Sequence, residues 1–156
     1  MSPYRPRTLT PIHRVAGLDY GVLDELLGYS LRRAQVAMFV AFHEATRGMD
    51  ITPPRFTALV IIGANPGLSQ SVLGSVLGIA RSGAMLLTDR FEAGGLVERR
   101  RRPNDGRAWG LHLTPHGERF VARMKRRVLV FDLKKARVLS KGERRVLLRL
   151  LEKLSR

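Results

Sequence analysis

Residues 95–114, which read GLVERRRRPNDGRAWGLHLT, constrain the fold of this chain more than any other stretch. The four consecutive arginines at positions 99–102 cannot be buried together, because each buried charge would need a partner of opposite sign. The Pro-Asn-Asp-Gly sequence that follows favours a tight hairpin corner, since Asn and Gly adopt positive φ at little steric cost. Val97 before the corner and the alternating Leu111 and Leu113 after it are typical of half-buried strands. We therefore expect a two-stranded hairpin with arginine along its first strand and tip.

The charge of the whole chain favours a polyanionic partner. Its 156 residues include 28 Lys or Arg and 13 Asp or Glu, which gives a formal net charge of +15 at pH 7. Solubility alone does not require so one-sided a surface, and nucleic acid is the commonest polyanion that proteins bind. We expect at least one of the four arginines to contact a phosphate, with a solvated strand edge as the alternative.

The sequence lacks the residues that several classes of function require. Because the chain has no cysteine, disulfides, thiol nucleophiles and thiolate zinc sites are excluded, and the composition suits a reducing cytoplasm. The sequence contains no Gly-rich phosphate loop, no Gly-x-Ser-x-Gly elbow and no acidic cluster for two metal ions. The longest apolar run, at residues 56–64, is about half the length of a membrane span. We expect a cytoplasmic protein that is not an enzyme and needs no metal, cofactor or membrane.

Apolar residues at steps of three and four predict helices on both sides of the hairpin. The first, from residue 18 to about residue 45, follows a basic N-terminal arm of residues 1–17. A short helix is expected after Thr52, which is a good N-cap. Two more helices are predicted at residues 69–78 and 80–93, on either side of a glycine-bearing turn. The side chains of Ala84, Leu87 and Phe91 in the second of them are predicted to face the core. Two short helices around a tight turn are typical of a helix-turn-helix.

Two further helices are predicted after the hairpin. Thr114-Pro115 is a typical helix start, and Ser140 with Glu143 has the spacing of a capping box. The last helix has an apolar stripe close to a coiled-coil seam, formed by Val146, Leu147, Leu150, Leu151 and Leu154. A chain of this size has little else to cover that stripe, so we expect a homodimer built from the first and the last two helices.

The order helix, helix-turn-helix, charged hairpin, helix, helix is that of a winged helix-turn-helix protein. Residues 51–118 also resemble the MarR (multiple antibiotic resistance regulator) family of bacterial transcription factors. The most specific matches are LTDRFEAGGLVERR and an Asp-x-Arg followed by Leu-Thr, here Asp105, Arg107, Leu113 and Thr114. The expected fold class is mainly α with a small β-hairpin wing. Residues 51–114 form the predicted DNA-binding domain, and residues 18–50 and 115–156 form the helical dimerisation region.

The resemblance implies a dimeric repressor or activator that binds a pseudo-palindromic operator in double-stranded DNA, and of the two we expect a repressor. In this family a small effector, frequently an aromatic acid or phenol, often releases the DNA. The surplus arginines leave room for an aryl-CoA thioester as effector; they include Arg5, Arg7, Arg14, Arg32 and Arg33. The alternatives are a sequence-neutral DNA-packaging protein and a basic RNA-binding protein, although the chain lacks the aromatic-interleaved basic strand that stacks on single-stranded bases.

The resemblance also implies roles for individual residues. Asp105 is expected to orient Arg107 by a salt bridge. The predicted DNA-binding residues lie in the helix-turn-helix and the wing: Ser69, Gln70, Ser71, Arg81, Ser82, Gly83, Arg90, Arg101, Arg102 and Arg107. The predicted effector-binding residues are Met38, Phe42, His43, Phe56 and Leu59. The alternative for His43, and the one we favour, is a solvated position in the last helical turn that interacts with the helix dipole; for the other four it is core packing.

The predicted recognition helix departs from the usual pattern of the family. Gly83, Met85 and Leu86 stand where polar or basic side chains are frequent. Base reading is therefore expected to rest more on apolar contact with thymine methyl groups. Gly83 weakens the helix, which leads to the hypothesis that it permits a close approach to the DNA backbone. Trp109 is expected to pack at the base of the wing, because helix-turn-helix proteins read paired bases.

Overall fold

The structure is a computed structural model that describes residues 10–102 and 105–156, with the backbone alone at residues 102 and 105–108. The predictions for Arg5, Arg7 and the side chains of Arg102, Asp105 and Arg107 lie outside the described residues. The described chain is mainly helical with a two-stranded antiparallel hairpin, which confirms the predicted fold class. Its elements are α1 (Leu27–Ala45), α2 (Pro53–Ala64), α3 (Gln70–Leu77), α4 (Arg81–Ala93), β1 (Val97–Arg102), β2 (Asp105–Leu113), α5 (Pro115–Lys135) and α6 (Lys141–Leu154).

The first helix begins later than the apolar pattern from residue 18 predicts. The chain instead forms a short 3₁₀ turn, Gly21–Asp24, and α1 starts at Leu27. Gly21 has a φ of +52°, a left-handed conformation that a right-handed helix cannot contain. Arg14 holds this segment, because its guanidinium pairs with Asp24 at 2.7 Å and lies 4.5 Å from the centre of the Tyr20 ring.

Residue contacts divide the chain into two compact units. The first unit consists of the chain up to Arg47 together with Arg127–Arg156, and the second consists of Gly48–Arg126. The second unit therefore contains α2, α3, α4, the hairpin and the beginning of α5, whereas α1, the end of α5 and α6 belong to the first.

The core of the second unit is formed by one face each of α2, α3, α4 and the base of the hairpin. Its largest buried side chains include Phe91 of α4, Leu59 of α2, Leu73 of α3 and Leu111 of β2. The predicted inward positions of Ala84 and Phe91 are confirmed, and Leu87 is half-buried. Removing these side chains from water supplies most of the free energy that holds the helix-turn-helix together.

The predicted caps at Ser69 and Ser140 are formed by side chains in the structure, whereas, among the described residues, the Thr52 side chain makes no capping hydrogen bond at the start of α2. The Ser69 hydroxyl accepts a hydrogen bond from the Val72 N–H at 3.2 Å, at the start of α3. Ser140 and Glu143 make both hydrogen bonds of a capping box at the start of α6. The hydrogen bonds from the Ser140 backbone and side chain lower the pKa of the Glu143 carboxyl. Local sequence signals alone therefore located these two helix starts.

The base of the hairpin is joined to the loop before α3. Gly67 donates its N–H to the Leu111 carbonyl at 2.9 Å, and Leu111 donates its own to Leu68 at the same distance. A Cβ on Gly110 would lie 2.8 Å from the Cα of Gly67, so only glycine permits this approach. Thr114, at the end of β2, donates its hydroxyl to the Gly95 carbonyl at 2.6 Å. These bonds fix the root of the wing on the helix-turn-helix.

The first unit leaves much of its apolar surface uncovered within one copy of the chain. Arg144 of α6 pairs with Asp132 of α5 at 2.9 Å, yet no residue of α6 is buried. The predicted stripe on α6 is exposed at Val146, Leu147, Leu150 and Leu154, and α5 adds Leu129, Val130 and Leu133. Apolar surface of this extent marks an interface in soluble proteins.

Arg99 joins the first strand of the wing to α4. Its guanidinium pairs with Glu92 and, at 2.6 Å, with Asp89, while its backbone N–H donates to Glu92 at 3.1 Å. The Arg99 side chain is only 24% exposed. Arg100 is more exposed, and its ion pair among the described residues is with Glu98, two residues earlier in the same strand, with 3.0 Å between Nε and Oε1. Arg99 therefore belongs to the scaffold, although it stands in a run of arginines that looks uniform in sequence.

The two arginines differ in their expected contribution to stability. Replacing Arg99 with Met removes charged hydrogen bonds from a partly buried site and should lower the free energy of unfolding by about 1–2 kcal/mol. The matched variant Arg100→Met should lower it by no more than about 0.5 kcal/mol, because its ion pair is exposed. Urea unfolding followed by the fluorescence of Trp109, the single tryptophan of the chain, measures both. Equal unfolding midpoints for the two variants would contradict this role of Arg99.

Candidate nucleic-acid interface

The helix-turn-helix predicted from the sequence is present in the second unit. The axes of α3 and α4 differ by 110°, within the range expected for this motif. Gly78, at the end of α3, has a φ of +62° and makes the turn possible. No single helix of the described residues is long and apolar enough to cross a membrane; α3 and α4 together reach that length and composition only across their bend.

The two sides of α4 differ in burial. Ala84, Thr88 and Phe91 face the core, and the Thr88 hydroxyl donates to the Ala84 carbonyl at 2.7 Å. The remaining positions leave an outer surface of exposed side chains, formed by Arg81, Ser82, Met85, Leu86, Asp89 and Arg90. In a helix-turn-helix the second helix enters the major groove, so this surface is the one available to base edges.

The predicted residues at the start of α3 lie within its cap and first turn. Ser69 uses its hydroxyl as the N-cap, whereas Ser71 is exposed. The side-chain Nε2 of Gln70 is buried and has no hydrogen-bond partner in the described part of the chain. Of the three predicted side chains, the exposed hydroxyl of Ser71 is the one best placed for the phosphate contacts that position a protein on DNA.

Arg101 and Trp109 face each other across the hairpin near its tip. They are register partners, and the Arg101 guanidinium carbon lies 4.2 Å from the centre of the indole ring. Trp109 remains 48% exposed. The prediction that Trp109 packs at the base of the wing is therefore wrong, since the base is formed at the opposite end, where Val97 pairs with Leu113. The spacing of Arg101 and Trp109 in the sequence did not predict that they pair, because the pairing of the two strands is irregular between Arg101 and Arg102.

The predicted effector-binding residues lie in both compact units. Met38, Phe42 and His43 are on α1, and His43 occupies its last turn, with its ring 6.1 Å from that of Phe42. Phe56 and Leu59 are on α2, where Leu59 is fully buried in the core of the second unit. The effector role of these residues stays a prediction, with Leu59 placed to support the core.

A cavity of about 300 Å³ lies within the first unit. Its lining includes Ala37, Val40 and Ala41 of α1 and Phe131, Lys134 and Lys135 of α5. None of the five predicted effector-binding residues lines it. The volume is at the lower end of the range for ligand pockets.

The sequence model of the MarR family matches residues 49–108, which contain the helix-turn-helix and most of the wing. A putative transcriptional regulatory protein for the hcr operon of Thauera aromatica is 36% identical over 143 residues, covering 91% of this chain and 86% of that protein. The alignment therefore extends well beyond the helix-turn-helix.

Solved structures show the same fold. The transcriptional repressor CouR, bound to a 23-mer DNA duplex, superposes with a TM-score of 0.84 at 35% identity, covering 90% of this chain and all of that one. CouR bound to p-coumaroyl-CoA superposes with a TM-score of 0.78 at 34% identity, covering 89% and 98%. Together with the helix-turn-helix and the hairpin described above, these similarities show that the chain belongs to the MarR family of DNA-binding transcriptional regulators.

Proposed function

We propose that this protein is a cytoplasmic, dimeric repressor that binds a pseudo-palindromic operator and is released by a small effector. The observation that carries the proposal is the exposed outer surface of α4 beside a basic wing. Each recognition helix of the dimer enters one major groove, with about 34 Å between the two. Arg81, Ser82 and Arg90 are the proposed groove contacts of α4, and Arg101, with Arg102 and Arg107, supplies the wing contacts.

An aryl-CoA thioester is the effector class that the similarities favour, with a simple aromatic acid or phenol as the alternative. The neighbour CouR, 34% identical, is bound to p-coumaroyl-CoA. A CoA thioester carries several phosphate charges, and this chain has a net charge of +15 to receive them. The aryl group needs apolar contacts, for which Met38, Phe42, His43, Phe56 and Leu59 remain the proposed residues.

The switch requires a difference in affinity between two forms of the dimer. An effector that binds both forms equally shifts nothing, however tightly it binds. We propose that the effector binds more tightly to a dimer whose two recognition helices do not match successive major grooves. Release of the operator then follows from the coupling between the two binding equilibria.

Binding to DNA is tested by fluorescence anisotropy on a labelled duplex from the region upstream of the protein's own gene. A shuffled duplex of equal length is the control, and both are titrated over a series of salt concentrations. A preference of about 10³ or more for the native duplex is expected, with affinity falling steeply as salt rises. Equal affinity for the two duplexes would overturn the proposal in favour of DNA packaging, and preference for single-stranded RNA would favour an RNA-binding protein.

The same titration separates the roles of two wing arginines. Arg101→Gln should reduce the magnitude of the slope of log K against log salt by about 0.9, the value for one phosphate contact. The matched variant Arg100→Gln should change it less, because successive side chains of a strand point to opposite faces and Arg100 lies one residue further from the tip. Unchanged slopes in both variants would remove Arg101 from the proposed contacts.

Effector release is tested on the preformed complex. Addition of an aryl-CoA thioester such as p-coumaroyl-CoA should lower the anisotropy to that of free duplex, and calorimetry should record heat with the protein alone. Free CoA and the corresponding free acid are the matched controls, since each carries only one half of the molecule. Release by the free acid alone would replace the thioester with an aromatic acid as effector, and no release by any of them would overturn both classes.

The dimer is tested by sedimentation. We propose that a second copy of the chain covers the exposed apolar stripe of α6. Leu147→Gln should raise the dissociation constant of the dimer by at least tenfold, since it removes an apolar side chain from the centre of the stripe. Arg145→Gln, an exposed position of the same helix, is the matched control and should leave the dimer unchanged. A monomeric wild-type chain at micromolar concentration would exclude the proposed assembly.

A further inference from the structure

We infer that α4 distinguishes operator sequences through apolar contact of Met85 and Leu86 with the C5-methyl groups of thymine in the major groove. This assignment rests on the proposed function and names the residues that determine its specificity. The sequence predicts thymine contact from a recognition helix with Gly83, Met85 and Leu86 at its outer positions; the structure adds that Met85 and Leu86 are both exposed.

Met85 and Leu86 are exposed although both are large and apolar. They are 53% and 55% exposed, whereas Ala84 and Thr88 of the same helix are completely buried. Because Ala84 and Thr88 face the core, Met85 and Leu86 lie on the exposed surface of α4, which is the surface that enters the groove. Both lie in the first half of the helix, which is the part that reaches base edges in a helix-turn-helix.

The polar side chains around this pair leave few hydrogen bonds for reading bases. Ser82 has one short hydroxyl, and Gly83 has no side chain. Asp89, on the same outer surface, is engaged by Arg99 at 2.6 Å. Between Arg81 and Arg90, which are exposed at the two ends of this surface, α4 therefore offers few hydrogen-bonding side chains, and the apolar pair offers apolar contact instead.

Gly83 adds a second observation in favour of a close approach. A Cβ at this position would lie 3.8 Å from the Ile79 side chain, which is an ordinary van der Waals contact. The packing of the protein thus does not require glycine here, and the residue has an ordinary helical φ. The half-buried glycine beside Ile79 adds no side-chain bulk to the first turn of α4, which is compatible with a close approach of a base edge.

The C5-methyl group of thymine is the group that best fits this surface. Arg81 and Arg90 of α4 are exposed on either side of the pair. An apolar protein partner would have to remove these guanidinium groups from water, whereas DNA offers them phosphates. Among base edges in the major groove, the C5-methyl of thymine is the apolar group available for contact.

The test begins with selection of binding sites from a pool of random duplexes by the full-length protein. In the selected operator each thymine is replaced in turn by deoxyuridine, which lacks only the methyl group and keeps every hydrogen-bonding atom. Affinity for each duplex is measured at constant salt. We expect one or two positions in each half-site at which the replacement weakens binding by about fourfold, the value for one buried methyl group.

Variants of the protein assign those positions to residues. In Leu86→Ala and Met85→Ala, one or more of the sensitive positions should lose its response to deoxyuridine. Val76→Ala is the matched control, because Val76 is similarly exposed on α3 and should leave every response as in the wild type. Circular dichroism verifies that the variants fold, as expected for substitutions at exposed positions.

Each outcome leads to a different conclusion. A selection that enriches no sequence overturns the proposed operator binding and this assignment with it. An enriched operator that is insensitive to deoxyuridine overturns the assignment alone. Sensitivity that persists in both α4 variants also overturns it, because other residues then read the methyl groups.

Discussion

The ion pairs of Arg99 with Asp89 and Glu92 hold the wing in a fixed position against the recognition helix. The two carboxylates lie on α4, one turn apart, and the arginine reaches them from the adjacent strand of the hairpin. This pairing neutralises acidic groups that would repel a phosphate backbone, and it removes one guanidinium from a run of four like charges. On the partner strand, at the register positions opposite Arg99 and Arg100, the close approach of Gly110 to Gly67 allows backbone hydrogen bonds between Leu111 and the loop before α3. The wing and α4, the two elements proposed to face DNA, are thereby held on one core.

With the wing and α4 fixed together, affinity and specificity can rest on different side chains. In the proposed complex the cations of the wing interact with phosphates, whose charge is the same for every sequence, so they position the protein without selecting a site. The outer surface of α4 is less polar, with Met85 and Leu86 exposed between arginines. An apolar side chain recognises one feature of a base edge, the thymine methyl, and its contribution depends little on salt. In this proposal the +15 charge of the chain supplies affinity for DNA of any sequence, and the apolar centre of the recognition surface supplies the preference for particular bases.

The first unit has a different physical character from the second. The second unit buries a core from α2, α3, α4 and the hairpin, whereas α6 of the first unit has no buried residue and exposes its leucines. A second copy of the chain is the proposed cover for that surface, and the distance between two recognition helices in such a dimer depends on how the copies join. An effector that changes this distance changes the affinity for the operator without contacting any DNA-binding residue. The proposed switch connects effector binding to operator binding in this way.

The sequence by itself determined those features that depend on neighbours in the chain. The helix starts at Ser69 and Ser140, the inward face of α4 and the position of the hairpin follow from caps, apolar periodicity and turn residues, and the structure confirms them. The resemblance to the MarR family was equally local, because it rests on contiguous motifs. Only the tertiary structure decided which arginines of the run face carboxylates, since Glu92 and Arg99 meet through the packing of β1 on α4. It also decided that Trp109 supports Arg101 near the tip, and that the left-handed backbone of Gly21 delays the first helix. Such contacts depend on strand register and backbone geometry, which residue type and spacing do not specify.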